Sequence, residues 1–259
     1  MTETSPPRGQ SYLRRLLHFL SVALSDGSNA RGLTEIAREA GIPLSTASRL
    51  ASLLTESEML RILPSGGYGP GAELIRIAGN ALVSLRGDLH IQTVVRSLAE
   101  ATFESASAGM LVGDVIVLIA REEPEHSLRA VARVGDSISP HTSAMGKAIL
   151  ANLSAQRRLA VLRNAVGPDA GRIEEELAGE LAGIRIQGYA LDEETYSPGL
   201  RCRAAAFLDD EGLAIGGISV AGPAARFSFA KATECLPLLQ SMVDELSARN
   251  QQEHSPAAT

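Results

Sequence analysis

The sequence of 259 residues is short of several residue types, and each shortage excludes a class of protein. It has no tryptophan, and its two cysteines, Cys202 and Cys235, match neither a disulfide framework nor the paired-cysteine spacing of a metal site. The five histidines stand singly, so we expect no metal and no other cofactor. No apolar run approaches the roughly 18 residues needed to cross a bilayer, and the first ten residues lack the regions of a signal peptide. These absences predict a soluble cytoplasmic protein without membrane contact.

The composition that remains is typical of a folded chain with two domains. Hydrophobic residues make up 45% and charged residues 21%, which is enough apolar material for a buried core. The length exceeds that of a usual single domain and favours two unequal domains. Residues 1–70 hold seven arginines against six acids, whereas the remainder of the chain has a net charge of −7. This contrast is too small to establish nucleic-acid binding by itself.

The first 70 residues have the pattern of a winged helix-turn-helix. Helical periodicity covers residues 11–25, 33–40 and 43–55, with Thr34 expected to cap the second helix and Gly41 to close it with a positive φ. Small or apolar residues stand where two steeply crossed helices pack, at Ala37, Gly41, Ala47 and Leu50. Residues 59–68 contain a Pro-Ser-Gly-Gly turn between short strand-like runs, which predicts a hairpin wing.

The third helix carries the candidate DNA-reading residues. A helix-turn-helix inserts the N-terminal turns of its second helix into the major groove, where hydroxyl and guanidinium groups reach phosphates and base edges. The residues in those turns are Ser45, Thr46, Ser48 and Arg49. The alternative is that Ser45 caps the helix and Arg49 is a solvated charge. The packing pattern around them favours DNA contact.

The rest of the chain predicts an α+β domain with a mainly antiparallel sheet. Two helical segments, residues 72–86 and 89–101, lead into it. Strands are expected at residues 105–112, 115–121, 128–134, 201–208 and 213–221. Helices are expected at residues 144–152, 155–164, 173–187 and 228–250, the last as one long helix.

Two polar groups of residues in this domain could carry chemistry. Residues 140–148 read as a strand end turning into a helix, whose free N–H groups could bind a carboxylate without a cation. Asp192, Cys202 and Ser219 form a second polar set at strand edges. An enzyme with Cys202 as nucleophile, His141 as base and Asp192 as orienter is one alternative. A redox sensor built on Cys202 is another, although no neighbouring lysine or second cysteine supports it.

Five segments, taken in order, resemble the IclR-type bacterial transcriptional regulators. They are residues 33–54, the wing at 66–71, and residues 140–148, 188–202 and 218–223. The resemblance extends over about residues 11–250. It implies four parts, which are a winged helix-turn-helix domain at residues 1–71, a linker helix at 72–87, a GAF-like effector-binding domain at 88–252 and a tail at 253–259. We expect the tail to be disordered. It implies a homo-oligomer, a dimer or a dimer of dimers, that binds double-stranded operator DNA, is controlled by a small organic acid or aromatic metabolite, and is not an enzyme.

The resemblance also assigns roles to residues. The DNA-reading segment falls on Ser45, Thr46, Ser48 and Arg49, the ligand-facing amides on Ala144, Met145 and Gly146, and the polar ligand contacts on Asp192, Cys202 and Ser219. Leu44 replaces a basic residue common in relatives, and Gly67 and Gly69 replace wing arginines, which predicts weak DNA binding by a monomer. Ala221 replaces a serine and predicts a less polar effector, such as a small monocarboxylate.

Overall fold

The structure, a computed structural model, describes residues 8–25, 31–86, 90–124 and 132–254. The chain divides into two compact units, Met1–Ser84 and Leu85–Thr259, called here the N-terminal and C-terminal units. The predicted linker helix at residues 72–87 spans this division. The predicted domain boundaries at 71 and 87 remain predictions.

The N-terminal unit contains three helices, a two-stranded hairpin and a fourth helix. Its elements are α1 (Arg8–Leu24), α2 (Leu33–Glu39), α3 (Leu44–Glu56), β1 (Leu60–Ile62), β2 (Tyr68–Pro70) and α4 (Ala72–Arg86). Ala47 and Leu50 are fully buried against Phe19 of α1 and Ile36 of α2 in one apolar cluster. Gly41 has a φ of +64°, the left-handed conformation that the turn between α2 and α3 requires.

The ends of the two helix-turn-helix helices differ from expectation in one respect. Thr34 does not cap α2, because the helix already begins at Leu33 and its N-cap is Gly32, which makes no side-chain capping bond. The third helix begins directly after Pro43, whose side chain likewise cannot cap it. The hairpin is antiparallel with Leu60 opposite Pro70. Gly71 follows it, and a Cβ there would stand 1.9 Å from the Glu58 carbonyl oxygen, so only glycine fits this turn.

The C-terminal unit is built around a six-stranded antiparallel sheet of order β5-β4-β3-β8-β7-β6. Its strands are β3 (Ser105–Val112), β4 (Val115–Glu122), β5 (Ser137–Ile138), β6 (Ala190–Glu193), β7 (Leu200–Leu208) and β8 (Ala214–Pro223). Its helices are α5 (Ile91–Thr102), α6 (Ala144–Ala151), α7 (Ala155–Val166), α8 (Ala170–Gln187), α9 (Phe229–Glu234) and α10 (Leu236–His254), with a 3₁₀ turn at Gly167–Asp169.

Each face of this sheet has its own apolar core. On one face, Ala205 and Phe207 of β7 pack with residues of α5 and α10. On the other, Ala204 of β7 packs with residues of α6, α7 and α8. The alternation along β7 sorts the residues between the faces, as expected for a strand buried on both sides. This second face also bears Cys202 of β7.

Three expectations from the sequence need correction or fall outside the described residues. The strand expected at residues 128–134 lies outside them up to residue 131, and residues 132–134 are not in a strand. The chain pairs with β4 slightly later, at β5. The single helix expected at 228–250 is two helices that meet at Cys235, and Pro237 in the first turn of α10 is the signal for that break. The last helix includes residues 253–254 of the expected tail, and the remaining residues 255–259 lie outside the described part.

Candidate functional site

The first candidate site is the exposed N-terminal half of α3. Ser45, Ser48 and Arg49 are exposed and Thr46 is half-buried, while Ala47 between them points into the core. The helix has no side-chain cap at Pro43, so its first N–H groups face outward without a local acceptor side chain. Hydroxyls, a guanidinium and open N–H groups on one surface are the donor set that binds DNA phosphates and base edges.

Arg49 has a neighbour that the sequence did not indicate. Its guanidinium carbon lies 5.6 Å from the centre of the Tyr12 ring on α1. A cation–π contact at an exposed site contributes about 0.5–1 kcal/mol, which is enough to orient the guanidinium without preventing it from meeting DNA. Two further arginines, Arg38 on α2 and Arg61 on β1, are also exposed in this unit. Arg61 donates from Nε to the Pro70 carbonyl at 3.2 Å, so the wing holds a cation on its strand rather than at its glycine tip.

The second candidate site is a cavity of about 500 Å³ in the C-terminal unit. It lies between the start of α6, the sheet face that bears Ser219 and Cys202, and the loop that joins β6 to β7. Its walls combine apolar side chains with a few polar groups. The lining residues are Ser107, Leu118, Arg121, Ala132, Ile138, Ser143, Ala144, Met145, Asp192, Tyr196, Ser197, Pro198, Gly199, Leu200, Cys202, Ser219, Ala221 and Pro223.

Five of the six predicted ligand-facing residues line this pocket, and Gly146 does not. The Gly146 N–H donates to the Ser143 hydroxyl at 3.0 Å, because Ser143 is the N-cap of α6. A Cβ on Gly146 would stand 2.3 Å from the Ser139 carbonyl oxygen, so this residue packs against the preceding loop. The structure thus gives the Gly146 amide a partner within the helix start and leaves this residue out of the pocket lining. Ala144 and Met145 do line the pocket, and their role as ligand-facing amides stays a prediction.

Asp192 holds the loop at the β6 end of the pocket. Its side chain is buried, and its Oδ1 accepts hydrogen bonds from the N–H groups of Thr195 at 2.9 Å and Tyr196 at 3.1 Å. Glu194 accepts from the Gly199 N–H at 3.0 Å and itself has a left-handed φ of 66°. These bonds shape residues 194–199 into a loop over the pocket, which the sequence did not predict. One carboxylate oxygen of Asp192 thus holds the loop, and none of the hydrogen bonds among the described residues uses the other.

Cys202 is a thiol and not a thiolate at neutral pH. Burial, followed by the negative charge of Asp192, raises the pKa of the Cys202 thiol from 9.0 to about 12, against the lowering influence of the Ser219 hydroxyl and Arg203. Burial likewise raises the pKa of the Cys235 thiol to about 11. Reactive cysteines have lowered pKa values, because the thiolate is the nucleophile. The environment of Cys202 suits a weak hydrogen-bond donor in a binding pocket rather than a nucleophile.

Arg121 is a pocket residue that the sequence did not reveal. The pairing of β3 with β4 shifts by one residue after Ala108, which leaves Ile119 as an extra residue on β4. Simple alternation would put Arg121 on the opposite face from Leu118, but this bulge returns it to the pocket face. Its NH1 donates to the Ser107 hydroxyl and its Nε to Glu123, both at 2.9 Å. Alternation alone carries no signal for such a shift.

The described part of the chain holds neither a candidate metal cluster nor a helix that could span a membrane. Nowhere within residues 8–25, 31–86, 90–124 and 132–254 do three or more His, Cys, Asp or Glu side chains cluster as metal ligands. Over the same residues, the helices are too short or too polar for a membrane span.

Both units match models of a single protein family. The model described as the IclR helix-turn-helix domain matches residues 13–64, and the model described as the bacterial transcriptional regulator IclR C-terminal domain matches residues 87–248. The transcriptional repressor IclR of Escherichia coli strain K12 is 30% identical over 246 residues, covering 89% of this chain and 87% of that protein. The HTH-type transcriptional regulator BhcR of Paracoccus denitrificans strain Pd 1222 is 33% identical over 242 residues, covering 91% and 85%.

Solved structures share the fold over most of the chain. An IclR homolog from Microbacterium hydrocarbonoxydans, crystallised with 4-hydroxybenzoate, superposes with a TM-score of 0.75 at 21% identity, covering 92% of this chain and 98% of that one. The relatives found by sequence are named as repressors or regulators of transcription and not as enzymes. The chain therefore belongs to the IclR family of transcriptional regulators, with an N-terminal helix-turn-helix for DNA and a C-terminal effector domain.

Proposed function

We propose that the protein is a homodimeric regulator whose affinity for operator DNA is controlled by a small monocarboxylate bound in the pocket of the C-terminal unit. The observation that carries the proposal is the pocket itself, about 500 Å³ of mostly apolar-walled space at the start of a helix. That size suits a small organic acid. A regulator of this kind works where the chromosome is, so we propose the cytoplasm as its location.

The start of α6 supplies the proposed seat for the carboxylate. Ala144 and Met145 are the first two residues of the helix, and among the described hydrogen bonds none uses their N–H groups. The partial positive charge at a helix start favours an anion there. Asp192 disfavours a second carboxylate at the far end, while Ser219 and the Cys202 thiol offer polar contacts to a hydroxyl or carbonyl group.

The apolar walls extend the proposal to the body of the effector. Ala221, Leu118 and Ile138 all line the pocket, and they would pack against an aromatic ring or a short alkyl chain. The crystallised homolog that holds 4-hydroxybenzoate supports an aromatic hydroxy acid as one member of this class.

Ala144→Pro tests the carboxylate seat with little change of backbone. Proline is favoured at the first position of a helix, and Ser143 already has the extended backbone (φ −82°, ψ 148°) that a following proline needs. The variant removes one N–H donor. Ala155→Pro is the matched control, since Ala155 also opens a helix after a serine cap but lies outside the pocket.

The measurement is a thermal-shift titration with benzoate, 4-hydroxybenzoate, lactate and butyrate, followed by operator binding with and without the acid that stabilises best. The wild-type protein and Ala155→Pro should be stabilised alike, by an amount that grows with ligand concentration. Loss of one hydrogen bond to a charged group costs about 1.5–3 kcal/mol, so Ala144→Pro should weaken binding by roughly 10- to 150-fold. Equal stabilisation of all three proteins would put the seat elsewhere, and no stabilisation by any acid would reject the effector class.

The homodimer is proposed from apolar surface on the N-terminal unit. On α1, Leu13 and Leu17 are 56% and 53% exposed, and on α4, Ile75 and Val83 are 58% and 74% exposed. Apolar residues repeated on helix faces in this way mark an interface, and a second copy of the chain would supply the partner that two operator half-sites require.

Sedimentation of the full chain at micromolar concentration tests this interface. Ile75→Glu with Val83→Glu should shift the wild-type dimer or larger oligomer toward the smaller species, because charges would enter an apolar contact. The control is Ile62→Glu on the wing, which is 63% exposed and lies on neither helix. A monomeric wild-type protein that still protects two half-sites would contradict the dimer.

A further inference from the structure

We propose that Arg121 completes the carboxylate seat and makes the pocket select acids over neutral molecules of the same shape. This inference rests on the proposed function, since it concerns the same pocket. It assigns the charge selectivity to a side chain on the sheet rather than to the helix start alone. It also predicts the orientation of a bound effector, with its carboxylate toward Arg121.

The sheet register puts Arg121 on the same row as two pocket serines. Arg121 pairs with Ser107 across β4 and β3, and Ser107 pairs with Ser219 across β3 and β8. All three line the pocket. Cross-strand partners share a face, so guanidinium and hydroxyls form one polar strip on the pocket floor.

The start of α6 lies over the adjoining row of the same strands. A Cβ built on Gly109 would stand 2.7 Å from the Met145 Sδ, and one on Gly217 would stand 3.2 Å from the Met145 Cγ. Gly109 and Gly217 are paired, and they are two residues along from Ser107 and Ser219 on the same face. Met145 and Arg121 therefore lie on adjoining rows of one sheet face and both line the pocket, and the proposed carboxylate would meet the guanidinium as well as the α6 amides.

The opposite end of the pocket has the opposite charge. Asp192 pairs with Cys202, and Cys202 with Ala221, along the next row of the sheet. Four strand intervals separate β4 from β6 in the sheet order, so Arg121 and Asp192 line the pocket from different strands and different rows. The pocket thus has a cation at one end and a carboxylate at the other. It fits an acid whose far end donates a hydrogen bond, and it rejects a dicarboxylate.

The ion pair between Arg121 and Glu123 leads to a specific prediction about Glu123. Its side chain is 8% exposed and paired with Glu123, whose side chain is 29% exposed. Glu123 does not line the pocket. An acid effector must share the guanidinium with Glu123, so removing that competing charge should tighten acid binding. A purely structural ion pair predicts no such gain.

The experiment compares each acid of the panel with its primary amide, which has nearly the same shape and no charge. Affinities are measured by calorimetric titration of the full-length wild-type protein and of Arg121→Gln, Arg121→Lys and Glu123→Gln. In the wild-type protein, the acid should bind more tightly than the amide. In Arg121→Gln, the acid affinity should fall roughly 10- to 150-fold, the range for a lost bond to a charged group, while the amide affinity stays within about threefold.

The remaining variants separate a role in selectivity from a role in folding. Arg121→Lys should recover part of the preference for acid, because it restores the charge without the fork of donors. Glu123→Gln should bind the acid more tightly than the wild-type protein does. If acid and amide affinities fall together in Arg121→Gln, or Glu123→Gln leaves the acid affinity unchanged, Arg121 is only structural and the proposal fails while the effector class stands. If no acid binds the wild-type protein, the effector class and the proposal fail together.

Discussion

Gly146 is the residue at which the structure most changes the expected effect of a substitution. It is the third residue of α6, and an added methyl would stand 2.3 Å from the Ser139 carbonyl oxygen and 2.6 Å from the Pro140 Cα and carbonyl oxygen. All three obstacles are backbone atoms, which cannot rotate away as a side chain can. Gly146→Ala must therefore push the helix start and the 139–140 loop apart.

The magnitude follows from two opposing contributions. Overpacking of this kind costs about 1–3 kcal/mol. Replacing glycine with alanine in a helix gains about 0.5–1 kcal/mol, chiefly because the unfolded chain has less freedom to lose. Gly146→Ala should therefore lower the free energy of unfolding by up to about 2.5 kcal/mol. It should also shift the amides of Ala144 and Met145 and weaken acid binding.

Gly183→Ala isolates the steric contribution as a matched control. Gly183 lies in α8, is exposed, and an added methyl would meet nothing within 4 Å. It should stabilise the protein by the helix gain alone. Scanning calorimetry of both full-length variants is the assay, and at roughly 2–4 °C per kcal/mol their midpoints for the C-terminal unit should differ by about 2–12 °C. Equal midpoints would refute the close approach of the loop to α6.

Two more outcomes follow from the side chains at each site. If the Arg49 guanidinium contacts a base, Arg49→Ala should weaken operator binding by about 1–3 kcal/mol and lower the preference for operator over scrambled DNA. Anisotropy titrations on both DNAs measure this. Equal weakening on both DNAs would mean that Arg49 contacts only a phosphate. Because the pKa of Cys202 is raised in the folded protein, its thiol should contribute to stability in full below about pH 9. That contribution should be lost as the pH rises from 9 toward 12, by roughly 1 kcal/mol per pH unit, because the thiol ionises first in the unfolded chain. The free energy of unfolding, measured with urea, should therefore fall more between pH 8 and pH 10 for the wild-type protein than for Cys202→Ala, and parallel curves would contradict the raised pKa of Cys202.

The features that the sequence predicted are those set by local pattern. The turn at Gly41 and the packing of Ala47 and Leu50 against Ile36 depend on residues within about fifteen positions, so spacing alone was sufficient. The pocket position of Arg121 depends on a one-residue shift between β3 and β4, which no periodicity records. The crowding at Gly146 comes from a loop that folds back onto the helix start, and glycine at a third helical position carries no mark of it.

The pocket has one fixed wall and one exposed wall, and this difference bears on how a ligand could act. The start of α6, where we propose the carboxylate seat, is held by the Ser143 cap and by close packing at Gly146 and Met145. Residues 194–199 are largely exposed and depend on hydrogen bonds to Asp192 and Glu194. A hydrogen-bond donor of the ligand that reaches the Asp192 carboxylate would contact the same group that accepts hydrogen bonds from this loop. Rearrangement on binding is therefore expected to begin at the loop, since closely packed backbone resists displacement and exposed hydrogen-bonded loops do not.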